Sequence, residues 1–146
     1  MDNDFNFCDN APEYFGFCLK TDCASAGECL RAFAARDLTP VRSTFTLVNP
    51  LLADTAGARS CRFFRKAEKV RMAYGFRRAF ALIPAGNVKV VRSEVCELVC
   101  RRNYYYLLRG QKPLSPAMQK KIAAILKRHG LTVPMEFDRY EWQYVW

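Results

Sequence analysis

The chain has a single histidine, no tight Cys-x2-Cys pair and no apolar run approaching the roughly 18 residues of a membrane-spanning helix. Each absence removes a class of function. With His129 alone there is no His-Glu-x-x-His metal motif, no Gly-x-Ser-x-Gly is present, and no glycine-rich phosphate loop follows a strand. A catalytic cysteine would have only His129 to draw on as a base. These gaps argue against an enzyme. The first eight residues, Met1 to Cys8, are acidic and carry no apolar h-region, unlike a signal peptide. A cytoplasmic chain is expected, with no membrane partner. No internal repeat and no low-complexity tract interrupts it.

What is present is positive charge, and it is unevenly spread. Residues 1–59 hold five Lys/Arg against eight Asp/Glu, a net of −3, and residues 60–146 hold eighteen against six, a net of +12. Such a segment repels itself, and a polyanion relieves the repulsion. A phosphate backbone is the partner this favours; an anionic membrane surface or a solvated basic face without a partner are the alternatives. At 146 residues, half of them hydrophobic and a quarter charged, the chain can bury one core or two small ones.

Cysteine is the second surplus. Cys18-x4-Cys23-x5-Cys29 is followed by Cys61 thirty-two residues later. Reduced cytosolic thiols in a cluster point to metal ligation or to small core residues before disulfides. Four thiolates satisfy tetrahedral zinc, and they also satisfy an iron–sulfur cluster. Free cysteines that simply fill the core are the third reading. Zinc in a structural role, held by Cys18, Cys23, Cys29 and Cys61, is the reading favoured here, with Cys8 as a replacement for Cys61. Cys96 and Cys100 stand four apart without further ligands nearby, and small core positions are expected for both. His129, at a helix end, is expected to cap.

Periodicity predicts a short helix over about 25–36, a strand or extended segment over Val41–Val48 ended by Asn49-Pro50, and a loop over 51–60. From Cys61 to Leu82 the spacing of Phe64, Val70, Met72, Ala73, Phe76 and Phe80 predicts a helix. Helices are also predicted over 92–99 and 102–109, with Gly110 as an αL cap. Another begins at Ser115-Pro116 and ends at Gly130. Aromatics at 140, 142, 144 and 146 alternate as in a strand with one aromatic face, which is expected to cover the core. Three consecutive tyrosines, Tyr104 to Tyr106, cannot share one helix face, so at least one is expected at the surface.

The segment from Val95 to Leu126 resembles the helix-turn-helix domains of the LacI and phage-repressor type. Val95 to Val99 and Arg102 to Arg109 stand as the crossing and recognition helices. Gly110-Gln-Lys112, Ser115-Pro116 and Ile122 to Leu126 follow as the basic loop, cap and next helix, and a helix within 62–83 stands as the first. The turn is about two residues shorter than in that family, and Cys100 replaces its glycine. The resemblance implies a recognition helix in the major groove of double-stranded DNA, with Arg101, Arg102, Asn103, Tyr105, Tyr106 and Arg109 facing it. Arg102 and Asn103 would reach base edges; Arg109, Lys112, Lys120 and Lys121 would hold phosphates. A homodimer would follow if two half-sites are read.

The expected protein is mainly α with minor β. A Cys-rich, metal-stabilised module spans 1–60, a helix-turn-helix bundle 61–131, and an aromatic tail 132–146. Its expected function is sequence-specific DNA binding in transcription regulation. The alternatives are a protein-docking adaptor using the aromatic tail, or an iron–sulfur redox sensor.

Overall fold

A computed structural model of the protein describes residues 5–49, 52 and 61–146. Among these, helix predominates and strand is minor, so the mainly α class with minor β holds. The chain divides into two compact units, Met1–Glu68 with Tyr144–Trp146, and Lys69–Gln143. Residues 61–68, expected in the second domain, fall in the first. The backbone explains this: Cys29 and Lys66 form an antiparallel bridge, and the Leu30 amide donates to the Arg65 carbonyl at 2.7 Å. The expected tail, 132–146, is divided between the two units.

In the first unit, α1 (Phe7–Asn10) starts where the Asn6 side chain accepts from the Asp9 amide at 2.8 Å. A 3₁₀ turn (Ala26–Glu28) leads into α2 (Leu30–Arg36), whose Leu30, Ala32 and Ala34 are buried. The core holds Cys8, Ala11, Phe15, Phe17, Leu30 and Ala34, with Phe7, Tyr144 and Trp146 packed on it. Trp146 meets Phe15 edge-on at 5.0 Å between ring centres. Among the described residues the Val41–Val48 segment forms no regular strand: Leu47 makes an isolated bridge with Phe17, and the Phe17 amide donates to the Thr46 carbonyl at 2.8 Å. The loop expected over 51–60 lies outside the described residues, Leu52 apart, as does Pro50.

In the second unit, β1 (Lys69–Tyr74) pairs antiparallel with β2 (Arg139–Tyr144), and Ala73 bridges Leu114. The helix predicted over Cys61–Leu82 is therefore corrected to a strand followed by the short α3 (Arg77–Ala81). The apolar spacing at 70, 72, 73 and 76 suits both periods, and Gly75 decides between them. Its φ of +70° breaks the run, and a Cβ there would lie 2.5 Å from the Asp138 carboxylate. That carboxylate instead accepts from the amides of Arg77 (2.9 Å) and Arg78 (3.2 Å), satisfying the first turn of α3.

Three longer helices follow: α4 (Val88–Val99), α5 (Arg101–Leu108) and α6 (Pro116–Arg128). Ser115 caps α6 by accepting from the Met118 amide, Pro116 takes its first position, and Gly110 (φ +71°) closes the turn after α5. Val91, Val95, Tyr104, Leu107, Ile122 and Leu126 bury the inner faces of the three helices against Ala73 and Phe76. Each such aliphatic side chain contributes about 1.5–3 kcal/mol relative to exposure. Only Cys100 separates α4 from α5, with φ +62° and ψ 154°. A β-carbon is strained there, and a one-residue joint leaves no room for the turn of a LacI-type domain. No helix among the described residues is long and apolar enough to cross a membrane.

Candidate functional site

Arg102, Tyr105, Tyr106 and Arg109 recur at helical spacing along α5, and together with Gln111 they line one shallow surface concavity. The stripe is displayed because the opposite face of α5 is anchored. Tyr104 is fully buried, with its ring edge-on to Phe76 at 6.2 Å and to Phe80 at 6.4 Å, and Leu107 is buried beside it. Burial raises the Tyr104 pKa. Arg92 opposes that shift, although the hydroxyl has no hydrogen-bond partner of good geometry. Tyr105 is 38% exposed, which answers the expectation that one of the three tyrosines reaches the surface.

Lys112 lies 5.2 Å from the Tyr106 ring centre and donates to the Asn103 side-chain oxygen at 2.9 Å. Asn103 is thus half-buried and engaged within the protein. Arg101 is exposed at the first residue of α5, and Lys120 and Lys121 are exposed on α6; none of the three lines the concavity. Gln111, which does line it, carries no charge and was not singled out by sequence as a contact residue.

Charge reinforces the display. The second unit carries fifteen Lys/Arg against five Asp/Glu, a net of +10. Three of the five carboxylates are already matched: Asp138 with Arg78, Glu94 with Arg128 and His129, and Glu141 with Arg139. Among the described residues no ion pair engages Arg102 or Arg109. His129 caps α6 as expected, and its Nε2 also meets Glu94 at 2.7 Å. That contact, with Arg128 adding to it, holds the Glu94 carboxyl below its ordinary range.

The cysteines divide as well. Cys18, Cys23, Cys29 and Cys61 line one cavity in the first unit, although they come from separate stretches of chain. Cys8 sits in the apolar core instead. Cys96 is half-buried against the core, as expected. Cys100 is corrected from a core position to an exposed one, because it forms the joint between helices. Among the described residues no three His, Cys, Asp or Glu side chains already stand at metal-coordinating spacing.

A family described only as one of unknown function, DUF6078, matches residues 1–146. The chain belongs to the DUF6078 family. No curated protein and no solved structure matches it. The family match runs through the cysteine-rich half and the basic half alike, whereas the likeness to LacI and phage-repressor domains covered about a third of the chain. That likeness is withdrawn. Where it required a first helix, within 62–83, the structure has a strand and a five-residue helix.

Proposed function

We propose that this DUF6078 protein binds duplex DNA through its second unit, as a transcriptional regulator, with α5 as the reading element. The observation that carries the reading is the stripe of Arg102, Tyr105, Tyr106 and Arg109, which sets two guanidinium groups, engaged by no ion pair among the described residues, around two tyrosines on one helix face. An α-helix with its side chains is about 10–12 Å across, which a major groove about 12 Å wide admits.

The chemistry divides along the helix. Arg102 and Arg109 present the planar donor fork that fits guanine edges and phosphates. Tyr105 and Tyr106 supply flat surfaces with a hydroxyl at the rim. Arg101, Lys112, Lys120 and Lys121 add sequence-independent attraction to phosphates. Asn103, occupied by Lys112, supports that lysine rather than reading adenine.

The test is fluorescence anisotropy of a labelled duplex against the full chain over a range of salt. Binding that weakens steeply and linearly in log salt is expected, because phosphate contacts release counterions. Binding that is absent at low salt, or indifferent to it, would overturn the reading. A protein-docking role is the second reading, and one observation favours it: Trp142 on β2 is 66% exposed. Trp142→Ala leaves DNA affinity unchanged on the first reading and abolishes partner capture on the second.

A further inference from the structure

The cysteine cavity is built from the backbone outward. The Cys18 amide donates to the Arg31 carbonyl at 3.1 Å, and the Ala26 amide donates to the Cys23 carbonyl at 3.0 Å. Cys29 opens α2 and bridges Lys66, while the Phe64 amide donates to the Cys61 carbonyl at 3.0 Å. Four cysteines scattered over 44 residues of sequence thus meet at one place, and the other three do not. Core filling alone does not select these four: Cys18, Cys23 and Cys61 are only half-buried, whereas Cys8 is fully buried in the apolar core.

The cavity also has a counter-charge. Arg31 donates through Nε to the Phe63 carbonyl at 2.8 Å and through Nη1 to the Gly16 carbonyl, so its guanidinium is fixed in place.

We infer that Cys18, Cys23, Cys29 and Cys61 form a structural zinc site that organises the first unit. A set of four thiolates selects zinc or an iron–sulfur cluster. A single ion fits between the four side chains, and zinc is the simplest occupant of four thiolates. The thiols do not yet stand at coordinating spacing, so binding draws them inward and ties the 61–68 segment to the start of α2. The inference is independent of DNA binding.

The test uses the reduced full chain. Metal analysis of the purified protein is expected to give one zinc per chain. Cobalt added after chelation is expected to give the intense visible absorption of a tetrahedral site, with ultraviolet thiolate-to-cobalt charge transfer. Cys18→Ser or Cys61→Ser should lose that spectrum, and Cys96→Ser or Cys100→Ser should keep it. Should the first two variants fail to fold, a thiol-reactive mercurial added to the wild-type protein replaces them, with stoichiometric zinc release expected. A colourless protein without zinc and without the cobalt spectrum overturns the site. So does a brown protein containing iron, or a cobalt spectrum that survives Cys18→Ser.

Discussion

The two units of this chain solve the stability problem differently. The second has thirteen buried core residues drawn from β1, its four helices and the loops between them, and its surface is left free to carry a net charge of +10. Among the described residues the first has six, drawn from two short helices and the segments around them, and the unit's eight Lys/Arg are nearly balanced by nine Asp/Glu. A small apolar core with little regular secondary structure needs another source of order. Here aromatic contacts, arginines bonded to backbone carbonyls and, by our inference, four thiolates on zinc supply it. The lesson is that burial and charge are traded between units: the one with the stronger core can tolerate the self-repulsion that a polyanion-binding surface requires.

Removing metal should break the comparison most sharply. Chelation should disorder the first unit while the helices of the second persist, because metal-site binding energy is folding energy. Tryptophan emission reads this directly: Trp142 is already exposed, so a red shift reports Trp146 leaving Phe15. Next in size is Leu126→Ala, which empties a fully buried position of the second unit. It should cost about 2–5 kcal/mol by denaturant titration, with zinc content unchanged.

The double variant Arg102→Ala/Arg109→Ala should leave the melting temperature in place and lower the salt slope of DNA binding by about two. Cys100→Gly removes a side chain from a strained φ and should stabilise the protein by about 1 kcal/mol. The smallest effect belongs to Glu94. Its folded carboxyl titrates below the unfolded one, so its contribution is full above the ordinary carboxylate range and lost as pH falls through the lowered value. Glu94→Gln should therefore melt slightly lower than wild type at neutral pH and equal it in acid.

Much of the second unit was legible in the sequence. Ser115-Pro116, Gly110 and Gly130 mark the ends of helices because capping and positive φ are local demands that few residues meet. That at least one of Tyr104 to Tyr106 reaches the surface followed from helical spacing, and Tyr105 is the one that does. The strand Lys69–Tyr74 was not legible, since its neighbours, Leu114 and β2, arrive from forty and seventy residues away. The pinning of Gly75 by Asp138 is equally non-local. The choice of Cys18, Cys23, Cys29 and Cys61 as a set was readable from spacing, but their meeting at one cavity depends on the Cys29–Lys66 bridge. The repressor likeness failed because a short run of helix-compatible residues recurs in many folds, and the missing turn residues at Cys100 change how the helices join.

The most direct measurement is an amide chemical-shift map of the full chain as unlabelled duplex DNA is added at low salt. The account predicts that the largest shifts cluster over residues 101–112 on and just beyond α5, and that the first unit stays silent. Shifts concentrated at β2 around Trp142 or within residues 5–49, with α5 unmoved, would contradict it.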